Sequence, residues 1–118
     1  MEKIARAIYE WCKANGLWGD NIIYFDGKAW SNENEWYDTK GKQIDEDLYE
    51  YENKNPLDYF EYANPDTLSM SFEGPLYYVL NAYTPRWEKK AAELDNLLKS
   101  FGYYCELGDA WNFALYKL

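Results

Sequence analysis

The feature that most limits how this chain can fold is a one-sign run of charge. Residues 33–66 hold eleven acids: Glu33, Glu35, Asp38, Asp45, Glu46, Asp47, Glu50, Glu52, Asp58, Glu61 and Asp66. Only Lys40, Lys42 and Lys54 oppose them, so this segment carries −8 of a total net charge of −9. The flanks are close to neutral, with four acids and four bases in residues 1–32 and six acids and five bases in residues 67–118. An ordinary soluble surface mixes its signs, and a confined field of one sign costs self-repulsion. High net charge with low hydrophobicity is the mark of disorder. This segment departs from that pattern, because Trp36, Tyr37, Ile44, Leu48, Tyr49, Tyr51, Leu57, Tyr59, Phe60 and Tyr62 interrupt the acids. The expectation is an ordered segment that packs its rings and turns its carboxylates outward.

The remaining pattern is that of a single α+β domain over residues 1–118, a mostly antiparallel sheet with helices packed on one face. Ile4, Ala5, Ile8, Trp11 and Cys12 recur at helical spacing within residues 2–15, and Gly16 stops the run. Asn21–Phe25 and Lys28–Ser31 are β-rich and are joined by Asp26-Gly27, the pair favoured by a type I′ hairpin turn. Further strands are expected at Trp36-Tyr37 and from Lys42 to Tyr51, about a turn at Lys40-Gly41. Asn55-Pro56 opens a short helix over 56–62, and Thr67–Phe72 alternates as a half-buried strand. Leu76, Val79 and Leu80 favour a helical turn, although a strand is compatible with the same residues. Thr84-Pro85 starts the clearest helix, with Trp87, Ala91, Leu94, Leu97 or Leu98, and Phe101 on one stripe and Gly102 at its end. A terminal hairpin follows, turning at Gly108-Asp109.

Chemistry is constrained mainly by what is missing. Histidine is absent, which removes the commonest general base, the Ser-His and Cys-His nucleophile pairs and imidazole metal sites. Cys12 and Cys105 lie far apart in sequence and belong to no C-x-x-C pair; both read as small buried hydrophobes, not as a disulfide, metal or redox site. Asp45-Glu46-Asp47 lacks the spacing of a calcium loop, and neighbouring carboxylates on a strand point to opposite faces. No phosphate-binding glycine motif is present, each isolated glycine being accounted for by a turn or cap. A glycosidase needs two carboxyls about 5–10 Å apart in a cleft, and no spacing here singles out such a pair. No catalytic residue, metal site or cofactor is expected. Acidity argues against direct binding of nucleic acid or of an anionic membrane. No apolar run has membrane-spanning length, and Met1-Glu2-Lys3 leads into an amphipathic pattern, so a cytoplasmic location is expected.

What remains is binding through carboxylates. On an extended backbone, same-face residues two apart lie about 6.5–7 Å from one another, close to the spacing of successive phosphates. Carboxylates so held can enter arginine and lysine pockets built for phosphate. Asp45, Glu46, Asp47, Glu50 and Glu52 are the first candidates for such contacts, with Glu33, Glu35 and Asp38 next. Trp36, Tyr49 and Tyr51 are candidate anchors. In size, acidity, lack of histidine and rings among the acids, the middle third resembles small phage or mobile-element anti-defence proteins, the anti-restriction and anti-CRISPR inhibitors that act as DNA mimics. The resemblance implies a basic nucleic-acid-binding protein as partner, with a host nuclease as the target. Two other readings fit the same residues: a carbohydrate- or small-ligand-binding module using exposed Trp or Tyr, and a plain interaction domain whose acids serve solubility. Monomer and homodimer are both compatible with a small domain of 20% aromatic content.

Overall fold

The computed structural model describes residues 1–118. It opens with helix α1 (Glu2–Ala14), which buries Ile4, Ala5, Ile8, Tyr9 and Cys12, the stripe its spacing predicts. Glu2 lies in its first turn and Lys13 in its last, each complementing the helix dipole. Strands β1 (Asn21–Phe25) and β2 (Lys28–Ser31) then pair antiparallel. Their turn has Asp26 at φ 51° and Gly27 at φ 76°, the left-handed backbone that the Asp-Gly signal announces.

The acidic segment forms two hairpins. Strands β3 (Glu35–Trp36) and β4 (Thr39–Lys40) make a small separate one, and β5 (Lys42–Asp45) pairs with β6 (Leu48–Glu52). The turns therefore fall at Tyr37-Asp38 and Glu46-Asp47, and the turn expected at Lys40-Gly41 is a passage between strands. Gly41 is required there by a close approach. A Cβ on it would lie 2.7 Å from both the Tyr49 Cβ and the Tyr51 ring. The expected helix over 56–62 is one 3-10 turn, Pro56–Asp58, capped by the Asn55 side chain.

Strand β7 (Leu68–Phe72) follows, then helices α2 (Pro75–Asn81) and α3 (Pro85–Ser100), and the hairpin β8 (Tyr103–Leu107) with β9 (Asn112–Lys117). Thr84 caps α3 and Pro85 occupies its first turn. Seven strands join in one antiparallel sheet ordered β5-β6-β2-β1-β7-β9-β8. This is the expected α+β architecture. Ile23, Phe25, Trp30, Met70, Phe72 and Phe113 face one way and share a core with Ile8 of α1, Leu76 of α2 and Leu98 of α3. Each such side chain contributes about 1.5–3 kcal/mol by leaving water.

The opposite face carries no α-helix, yet it too is partly covered. Tyr24, Ala29 and Phe60 form a smaller buried cluster there, with Ile22, Trp36, Ala63 and Trp111 packed around it. This second cover explains why every residue of β7 is buried, where alternation alone predicts a half-buried strand.

Candidate functional site

The carboxylates of residues 45–50 meet partners within the chain. Asp45, at the end of β5, forms a 2.7 Å ion pair with Arg6 of α1. Lys13, in the last turn of α1, reaches Glu46 at 3.2 Å and Asp47 at 3.6 Å. The Tyr9 hydroxyl and the Trp18 indole donate to the Glu46 and Asp47 carbonyls, so the β5–β6 turn is stitched onto the helix. Register places Glu50 opposite Trp30 and Glu52 opposite Lys28, on the helix side of the sheet. Glu50 accepts from the Trp30 indole at 3.0 Å and pairs with Lys28 at 3.3 Å. The Trp30 hydrogen bond, opposed by burial and aided by Lys28, holds the Glu50 carboxyl below its ordinary range. An outward strip of evenly spaced carboxylates over 45–52 is therefore not what the chain builds. Asp45, Glu46 and Asp47 occupy a hairpin end, Glu50 is half-buried within an ionic network, and Glu52 alone of the five is exposed without an ion pair.

The helix-free face is organised differently. A cleft of about 450 Å³ opens between the β3–β4 hairpin and residues 53–59. Glu33, Glu35 and Asp58 line it, together with Trp36, Tyr37, Tyr59 and Lys54. A smaller depression of about 90 Å³ shares Ile22, Ser31, Glu33 and Tyr59 with the cleft and adds Asp20 and Glu73. None of these five carboxylates closes an ion pair. Lys40 stands across from Glu35 in the hairpin register without closing one. Asp38 is exposed at the hairpin tip, also unpaired. Lys54 is the single cation of the cleft lining, and its ammonium lies 4.0 Å from the centre of the Trp36 ring.

A net of edge-to-face aromatic contacts holds these walls. Trp36 meets Tyr24 at 6.3 Å and Tyr51 at 5.4 Å between ring centres. Tyr24 continues to Phe60, and Phe60 and Tyr59 both meet Trp111. Such pairs add about 0.5–1.5 kcal/mol each beyond area burial. Glu33 is pinned from both sides of its backbone, its N–H donating to Ser31 Oγ at 3.1 Å and its carbonyl accepting from the Tyr51 hydroxyl at 2.6 Å. Tyr51 is thus a positioning residue. At 2% exposure its ring is closed to a partner, while Tyr49 is half-buried and Trp36 forms part of the cleft wall.

Two further details set the cleft apart. Tyr24 lines it, is 2% exposed, and its hydroxyl has no hydrogen-bond partner in the chain. Burial first, then the nearby Tyr59, Asp58 and Glu73, push its pKa up, so it stays protonated. Leaving such a hydroxyl unpaired costs about 1–3 kcal/mol. Tyr37, at the hairpin tip, has φ 54° and is 90% exposed. That left-handed backbone suits Gly, Asn or Asp and is unusual for a bulky ring.

Elsewhere the chemistry is quiet. Burial raises the Cys12 thiol to about 12, and burial with Asp95 raises Cys105 to about 11, so both remain thiols near neutral pH. Cys12 is buried and Cys105 half-buried, and both are free. No three His, Cys, Asp or Glu side chains gather closely enough to hold a metal ion, and no helix is long and apolar enough to cross a membrane. The sequence reading missed Tyr24, Asp58 and Tyr59 as site residues, along with Asp20 and Glu73. Asp58 and Tyr59 lie inside the acidic segment, but nothing local shows which face of the sheet they cover. No family model, curated protein or solved structure matches this chain, so the geometry of the helix-free face is what carries a functional reading.

Proposed function

We propose that this is a non-catalytic binding protein that presents its acidic, helix-free face to a basic partner. A nucleic-acid-binding protein is the partner class that such a field fits, and inhibition of a nuclease by occupying its cationic groove is the specific form of the reading. The single observation that carries it is the partition of carboxylates. Asp45, Glu46, Asp47 and Glu50 are matched by Arg6, Lys13 and Lys28, whereas Asp20, Glu33, Glu35, Asp58 and Glu73, grouped on the other face, have no ion-pair partner. Unmatched charge on one face raises association rates and selects partners of opposite sign. The relevant carboxylates are accordingly Glu33 and Glu35 with their new neighbours, more than Asp45, Glu46, Asp47 and Glu50.

The test is capture followed by competition. Immobilised protein should retain a basic nucleic-acid-binding protein at about 50 mM salt and lose it by about 300 mM, where screening is short-ranged. Duplex DNA should displace the captured partner. A partner that binds DNA and this protein at once would defeat the competition reading, and recovery of no basic partner at low salt would defeat the reading as a whole.

A further inference from the structure

The cleft has the chemistry of a site for one particular kind of cation. Three carboxylates line it without ion pairs, so an anion is repelled there. They are not gathered as metal ligands are, so a bare divalent ion has no coordination shell. Aromatic rings stand beside them, and Lys54 already rests over the Trp36 face, which shows a cation accommodated against that ring. Independently of the acids, Tyr24 lines the cleft, and its buried hydroxyl has no hydrogen-bond partner in the chain. A neutral phenol can accept from a ligand N–H. Acceptors spread over several walls suit a planar group with five diverging donors better than a compact ammonium.

We propose that the cleft binds the guanidinium of an arginine side chain offered by the partner, with Glu33, Glu35 and Asp58 accepting its N–H groups, Trp36 and Tyr59 flanking its plane, and the Tyr24 hydroxyl taking a further hydrogen bond. Lys54 is the internal occupant that the arginine displaces from Trp36. This rests on the reading of the helix-free face as a surface for basic partners, and it adds the recognised residue and its seat.

The experiment titrates N-acetyl-arginine amide into the isotope-labelled protein, following the Tyr24, Trp36 and Tyr59 ring signals by NMR. Citrulline amide, which keeps the shape without the charge, should bind at least about tenfold more weakly. The variant K54Q should tighten arginine binding about two- to threefold by removing the competing cation. Y24F should weaken binding about three- to tenfold, yet raise the melting temperature by about 4 °C, since the free protein loses an unpaired buried hydroxyl. That opposition separates a ligand contact from a structural role. Equal binding of arginine and citrulline amides would overturn the proposal and indicate a neutral polar ligand, and unchanged affinity in Y24F would overturn it by removing the buried hydroxyl from the site. Polyarginine supplies the second arm. If it binds and E33Q/E35Q/D58N weakens it while the single-arginine compound leaves the cleft signals unmoved, the seat is wrong and the acidic face stands. If neither binds, both fall.

Discussion

The two acidic hairpins are neighbours in sequence and opposites in electrostatics. The β5–β6 hairpin extends the sheet beneath α1, where Arg6 and Lys13 are waiting, and its turn is tied down by Tyr9 and Trp18. The β3–β4 hairpin folds over the other face, where Lys54 is the only cation lining the cleft. The hairpin richer in acid thus becomes a largely ion-paired edge, and the poorer one borders an open field. Linear charge patterning states how much charge there is, and topology decides what it meets.

The comparison breaks most visibly at Tyr51, a β6 residue whose ring packs on Trp36 of the β3–β4 hairpin and whose hydroxyl holds the Glu33 carbonyl just ahead of it. Tyr51→Ala should cost about 3–5 kcal/mol in chemical denaturation, the range for emptying a buried aromatic site. Tyr51→Phe should cost about 1 kcal/mol, and it should loosen Glu33 while leaving the Arg6–Asp45 pair in place.

On the neutralised side, Glu50 carries the largest single effect. Glu50→Leu leaves the Trp30 indole N–H without its acceptor and should cost about 1–3 kcal/mol. Its acid dependence follows from the lowered pKa. The folded carboxyl binds a proton less readily than the unfolded one, so its contribution is present above the ordinary glutamate value near 4.5 and disappears as pH falls through the folded value. Glu50→Gln should flatten that part of the pH–stability curve.

On the open side, Tyr37 should separate folding from binding. Tyr37→Gly relieves a left-handed tyrosine and should stabilise the fold by about 1 kcal/mol, while weakening whatever the cleft engages. An unchanged affinity would show that the exposed ring is incidental. The smallest effect is expected at the Arg6–Asp45 pair. A double-mutant cycle there should return about 0.2–1 kcal/mol, fading in high salt.

Much of the fold is legible in the chain. The Asp26-Gly27 turn, the stripe of α1, the Thr84-Pro85 start of α3 and the terminal hairpin all follow from local stereochemistry. The site is less so, for reasons visible in particular residues. Tyr51 and Glu50 are adjacent, yet strand alternation sends one to the cleft face and the other to the helix face. Which of them is a contact depends on which face α1 covers, and no local pattern states that. The Glu46-Asp47 turn escaped the strand pattern because its charge masks a tight connection. Tyr24 reads as one apolar residue within Ile22-Ile23-Tyr24-Phe25, and only packing leaves its hydroxyl without a partner.

The central claim is that position, not total charge, makes one acidic region a binding surface. Two variants with the same change in net charge test it directly: E33Q/E35Q/D58N on the open side and D45N/E46Q/D47N on the neutralised side. Binding of a polyarginine peptide should fall at least about tenfold in the first and stay within about twofold in the second. Equal losses in both, or a larger loss in the second, would contradict the account.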